Sequence, residues 1–192
     1  MIKNTLKIVF LGIIGFGLLV YLTAPKKNNI EKKVSNYELN INNLPRIFEV
    51  VGVNPYAKFD TVFKSGIEKY LIVLNHDSLA LFKDLYKFTD KNIVMIANVS
   101  NTPWLIKKIA VNSELENMFK ESKIPLINDE NGNFVRSLNI NDNTQNSYFI
   151  YKINIDGSIE FIEKNSVKLG ALEKGISDKE IENFMETFSK KL

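Results

Sequence analysis

Cysteine is missing from all 192 residues, and histidine occurs once. The first absence excludes a disulfide framework, thiolate catalysis, Cys-ligated zinc, iron–sulfur clusters and lipid attachment through Cys. The second excludes a multi-histidine metal site. Arginine is confined to Arg46 and Arg136. The net charge of +3 comes from 25 Lys and Arg against 22 Asp and Glu, and Lys3 and Lys7 account for two of those three charges. The rest of the chain is almost neutral, without the concentrated basic face of a polyanion binder, so nucleic acid is not an expected partner. What the chain does have is apolar residues, 45% of the total, enough for one domain of ordinary size plus an appendage.

The appendage comes first. Lys3 and Lys7 precede Ile8 to Ala24, seventeen residues without a charge. As a helix that run is about 25 Å long, at the short end of what crosses a bilayer. Tyr21 would sit at the interface, and the flanking lysines can snorkel to the headgroups. The rival is a cleaved secretory signal, which shares the basic start and apolar stretch. Cleavage after Ala24 would place Leu22 where a small residue is wanted. The expectation is therefore an uncleaved membrane anchor over residues 1–25, embedded through residues 8–24. It would place a single-pass protein in the cytoplasmic membrane, its domain facing the periplasm or the cell exterior. Lys26, Lys27, Lys32 and Lys33 on the far side weaken the positive-inside argument for that orientation, which the two amino-terminal lysines favour.

Residues 26–43 are polar and Asn-rich, with little to bury, and read as a mostly unstructured tether on which Tyr37 and Leu39 begin to pack against the domain. The domain is expected over 44–192. Leu44 to Val51 fits a short helix or a strand equally well. Tyr70 to Leu74 and Ile93 to Ala97 are unbroken apolar runs, the pattern of strands buried on both faces. Between them Asn75-His-Asp-Ser78 offers helix-capping types, and Leu79, Leu81, Phe82, Leu85, Tyr86 and Phe88 recur at helical spacing. A helix between two buried strands makes a βαβ unit with parallel strands. Thr102 with Pro103 predicts another helix start, and Ser113 with Glu116 a capping box for a helix to about Lys123. Ile124 to Ile127 reads as a short strand, Asp129 to Gly132 as a turn, and Phe134 to Leu138 as a short helix or turn. Tyr148 to Asn154, the turn Asp156-Gly157 and Ser158 to Glu163 form a β-hairpin. Ser177 and Glu180 open a last helix that presents Ile181, Phe184, Met185 and Phe188 on one face.

This order of elements, with Ile124-Pro-Leu-Ile-Asn-Asp129-Glu-Asn-Gly132 and the Asn154-Ile-Asp-Gly157 turn, resembles the thioredoxin-like superfamily, in its membrane-tethered TlpA-like and peroxiredoxin-like branch. The resemblance covers residues 60 to 190. It implies an α/β fold, a central mixed β-sheet flanked by helices, here preceded by the transmembrane helix. It also implies a Cys-x-x-Cys pair at the helix start after the first buried strand, where the dipole lowers the thiol pKa. In this chain Ser78 and Leu81 align with the two cysteines. The family's cis-proline before the hairpin strand has no counterpart either, since no proline lies near Asn146 to Tyr148. Thiol–disulfide exchange and thiol peroxidase chemistry are excluded by composition.

Other chemistry finds little support in the residues. His76, Asp77 and Ser78 are consecutive, and a base normally reaches its nucleophile from a different segment. The plainer reading is a polar helix start capped by Asp77 or Ser78, so that replacing His76 and Ser78 together by Ala would cost at most about 1–2 kcal/mol. No catalytic residue, metal ligand set or cofactor is called for. The expectation is a non-redox envelope domain that binds a protein or peptide at the position vacated by the cysteines, through His76, Asp77, Ser78 and Leu81, with Trp104 as a further recognition residue. The alternative is a small-ligand or metal-handling protein, or an enzyme, using His76 and nearby carboxylates such as Asp129 or Asp156. An apolar shallow groove would favour the first, and a deep pocket with converging acids the second.

Overall fold

A computed structural model describes residues 2–24, 38–53, 57–103, 106–107 and 111–192. The amino-terminal run forms helix α1 (Ile2–Thr23). Its segment Thr5–Thr23 has a mean hydropathy of 2.2 and no part of it buried against the protein. A helix of that length and composition can cross a membrane. Tyr37 and most of the expected tether lie outside the described residues. Its last residues do not hang free. Leu39 packs on the core, Asn40 bridges to Ser158, and Ile41 is buried in a single 3-10 turn, Ile41–Asn43. Asn40 caps that turn through its side chain.

Seven strands form one mixed sheet: β1 (Ile47–Val50), β2 (Ala57–Lys58), β3 (Lys69–Leu74), β4 (Ile93–Ala97), β5 (Leu126–Asn128), β6 (Ser147–Ile153) and β7 (Ile159–Ser166), in the order β2-β1-β5-β4-β3-β6-β7. The β3–β4 and β4–β5 pairs are parallel, with Tyr70 opposite Ile93 and Met95 opposite Leu126; the other pairs are antiparallel. The segment that fitted helix and strand equally resolves as β1, because its alternating Phe48 and Val50 reach the core. The Asp156-Gly157 turn closes the β6–β7 hairpin. Gly157 holds a φ of 85° there, and a side chain on it would meet Ile41 at 2.9 Å.

Both faces of β3 and β4 are covered, as their unbroken apolar runs require. Leu71, Val73, Val94 and Ile96 point to one side, against Phe48, Phe59, Phe63 and Phe134. Ile72, Leu74 and Met95 point to the other, against Leu79, Leu81, Phe82, Leu115 and the final helix. Around them lie α2 (Phe59–Val62), α3 (Ser78–Phe82), α4 (Asn112–Phe119), α5 (Asn133–Ser137), α6 (Ala171–Lys174) and α7 (Asp178–Ser189). The Ser177–Glu180 capping box is present in both directions, and α7 buries Ile181, Met185 and Phe188. Two local expectations differ, and a third is not tested. The helix after β3 stops at Phe82 and tightens into a 3-10 turn at Leu85–Lys87, where Asp84 pairs with Lys87 at 2.7 Å. Val111 is already helical at the start of α4, so Ser113 sits inside the helix and makes no cap. The helix predicted from Thr102 and Pro103 falls mainly on residues outside the described set.

Candidate functional site

The parallel strands β3 and β4 end side by side, and each is followed by an asparagine. In open α/β sheets the crevice beyond the carboxyl ends of such strands is the usual ligand position. Here Asn75 and Asn98, both buried, join across it: Asn98 donates from Nδ2 to Asn75 Oδ1 at 2.8 Å. Asn75 in turn donates to the Thr144 carbonyl at 2.8 Å, and Asn98 Oδ1 accepts from Ser100 Oγ at 2.7 Å. The loop entering β6 is stitched to the same end of the sheet. The Asn75 amide donates to the Ser147 carbonyl at 3.1 Å and the Asp77 amide to the Gln145 carbonyl at 3.0 Å. Above this floor lies an open cleft of about 350 Å³, lined by Asn75, His76, Asn98, Asn101, Thr102, Asn143, Gln145 and Glu173.

The residues singled out from sequence separate here. His76 lines the cleft and is half-exposed. Asp77 is fully buried. It makes no cap to α3 but reaches forward to α6, accepting from the Gly170 amide at 2.7 Å on Oδ2 and facing the Leu172 amide at 3.5 Å on Oδ1. Burial alone would raise its pKa. The Gly170 amide, then the His76 and Leu172 bonds and Gln145, outweigh that and hold the carboxyl below the ordinary aspartate range. His76 Nδ1 is turned inward, 3.3 Å from the Asp77 carboxylate and 3.2 Å from the Gln145 side-chain amide, and among the described residues Nε2 is left unengaged. Ser78 is also fully buried, its hydroxyl donating to the Asn75 carbonyl at 2.6 Å. It therefore cannot line a groove, and its replacement costs more than one exposed cap. Leu81 packs in the core against the sheet rather than at the cleft. Trp104 lies outside the described residues.

Geometry also bears on the chemical alternatives. Ser78 Oγ is spent on carbonyl oxygens and His76 is turned to Asp77, so no nucleophile meets a base. Asp129 accepts from the Asn133 and Val135 amides at the start of α5, and Asp156 from the Ser158 amide in the hairpin turn, each serving its own loop. Among the described residues no three or more His, Asp or Glu side chains gather as a metal site would require. The cleft is thus neither of the two forms expected, being polar like a ligand pocket but open and without converging acids. Asn101, Thr102, Asn143 and Glu173 were not singled out as site residues from sequence because they come from separate segments, whereas Gln145 lies in the 144–148 stretch expected beside the vacated position. The only local sign was an asparagine directly after each buried strand.

Acid stability follows from the same loops. Asp142 holds the approach to β6, accepting from the Thr144 amide at 2.8 Å and pairing with Lys164. Burial opposes ionisation, but the Lys164 contact and the Thr144 bonds bring its pKa down to about 2. A carboxyl whose folded pKa is depressed stabilises fully above its unfolded value and loses that contribution as pH falls toward the folded one. Asp129 has the opposite sign, because burial raises its pKa. Denaturation midpoints measured from pH 6 to pH 2 should therefore fall below about pH 4, with Asp142→Asn flattening part of the decline. An unchanged acid limb in that variant would show that the Lys164 pair and Thr144 bonds are not formed.

No protein-family model matches this sequence, and no curated protein matches it. Solved structures with a similar chain course include a bacterioferritin comigratory protein of Xanthomonas campestris described in connection with alkyl peroxide reduction, at 8% identity over 82% of this chain and 98% of that one, TM-score 0.47. A peroxiredoxin Q variant of the same organism gives 9% identity over 82% and 98%, TM-score 0.47. A secreted disulfide oxidoreductase of Mycobacterium tuberculosis gives 11% identity over 74% and 96%, TM-score 0.39. Likenesses this distant say nothing of activity. The strand order, the parallel β3–β4–β5 set and the closing β6–β7 hairpin with its final helix make the domain thioredoxin-like in architecture. It is a cysteine-free version of that fold, carrying one amino-terminal helix able to span a membrane.

Proposed function

We propose that this protein is a membrane-anchored, exported binding module of the cell envelope, which keeps the thioredoxin-like scaffold without redox chemistry. It holds a protein or peptide partner in the cleft beyond β3 and β4. The observation that carries this reading is the cleft's construction. Four separated segments meet there, two of them joined by the Asn75–Asn98 hydrogen bond, and they present Asn101, Asn143 and His76 Nε2, which find no side-chain partner among the described residues. Side-chain amides in such a position can pair with the amides of an extended chain. Anchoring through α1, with Lys3 and Lys7 on the cytoplasmic side, would keep the domain outside the cytoplasmic membrane.

Photocrosslinking in native membranes tests this. A photoreactive residue at Asn143 should capture a polypeptide, one at Asn165 on β7 should not, and Asn101→Ala should reduce capture from position 143. Equal capture from both positions would move the binding surface elsewhere. Alkaline extraction of the same membranes should leave the full-length chain in the pellet, whereas a shortened soluble form would mean that the amino-terminal helix is cleaved.

A further inference from the structure

The cleft is unevenly charged, and an occupant must answer that charge. Five of its lining residues are neutral amides, one is a hydroxyl and one the imidazole of His76; none is Lys, Arg, aliphatic, Phe, Tyr or Trp. Glu173, exposed on α6, is the one acidic residue in the lining, and no hydrogen bond or ion pair engages it. Its neighbour Lys174 lays its side chain along Gly170. Just below the lining, Asp77 is a second carboxylate, held by amide dipoles and His76. Four other carboxylates of the domain have lysine partners, in Asp142–Lys164, Glu68–Lys152, Asp84–Lys87 and Glu163–Lys191, and none of these faces the cleft. Anions are therefore disfavoured in the cleft, and an apolar group entering it would meet a mostly polar lining.

We infer that the cleft takes a cationic peptide segment, placing a Lys or Arg side chain against Glu173 and its backbone against Asn101 and Asn143. This rests on the binding-module reading above and adds the charge of the partner. An ammonium group closes the one unmet charge in the lining, and the amides provide donors and acceptors for peptide groups without selecting their side chains.

Calorimetric titration of the full chain in phosphatidylcholine nanodiscs tests it, with acetylated and amidated Ala-Lys-Ala, Ala-Gln-Ala and Ala-Glu-Ala as probes. The Lys peptide should bind about two- to fivefold more tightly than the Gln peptide, the upper part of the range of an exposed ion pair. The Glu peptide should bind weakest. Glu173→Gln should abolish the preference for Lys over Gln, and added salt should shrink the preference in the parent. Equal binding of the Lys and Gln peptides, reduced alike by Asn101→Ala, would overturn the charge inference and leave the cleft as a peptide site. Lack of binding by all three peptides, or binding indifferent to Asn101→Ala and Asn143→Ala, would overturn the cleft reading together with the inference.

Discussion

Replacing Asp77 by Ala should destabilise the domain by about 2–4 kcal/mol, since a fully buried carboxylate that accepts from four partners is removed. The Gly170 amide at 2.7 Å loses its partner, the Leu172 amide loses a longer one, and Gln145 and His76 are released from the same oxygen. For a domain of this size the shift corresponds to about 5–12 °C in melting temperature, read by circular dichroism of the full chain in non-ionic detergent. Asp77→Asn keeps one acceptor oxygen for Gly170 and should cost less than half as much. Because the folded pKa of Asp77 is depressed, its contribution is complete above about pH 4 and fades as pH falls further, so parent and Asp77→Ala should converge in acid. Equal melting temperatures at pH 7 would show that the link between the β3–α3 turn and α6 has no structural weight.

Truncating Phe82 to Ala should be more damaging, about 3–5 kcal/mol. The ring is wholly buried, and it meets Tyr148 and Phe188 with centroids at 5.0 Å and Phe184 at 5.7 Å, all edge-on. It is the point where α3, β6 and α7 are packed together. Its loss leaves a cavity that three separate elements would have to close, and aromatic edge contacts are lost with the apolar area. Denaturant unfolding should show a lower midpoint with an unchanged slope. A loss below about 1 kcal/mol would mean that α7 does not pack against this side of the sheet. Since α3 also carries the turn that shapes the cleft, peptide binding should weaken in the same variant near its midpoint.

Much of this architecture could be read residue by residue. Tyr70–Leu74 and Ile93–Ala97 are visible because a strand covered on both faces must be apolar throughout, and a helix between them dictates that they run parallel. The Ser177–Glu180 box and the Asp156-Gly157 turn are equally local, since the hydrogen bonds that close them span at most four residues, although the Gly157 carbonyl also accepts from the distant Ile41 amide. Ser113–Glu116 has the same spacing as Ser177–Glu180 and fails, because a box caps only where the preceding residue leaves the helix. Val111 does not leave it. The cleft was illegible for a related reason. Nothing in Asn143 or Glu173 marks it as a neighbour of His76, and only the docking of the β6 approach and α6 onto the end of β3 brings them together.

The sequence by itself determined the chemistry that is impossible here, since no arrangement of a chain without cysteine performs thiol exchange, and it determined the parallel pair and the apolar helix ahead of the domain. Tertiary structure alone decided what the Asn75-His-Asp-Ser78 segment does. Read locally, Asp77 and Ser78 are interchangeable helix caps. In the fold, Ser78 is sealed against Asn75 and Ser147, Asp77 is spent on α6, Asn75 forms the floor of the cleft, and His76 stands at its wall. The reason is that burial and hydrogen-bond demand are set by which distant backbone amides arrive beside a side chain, and those amides come from Gly170 and Leu172, more than ninety residues away.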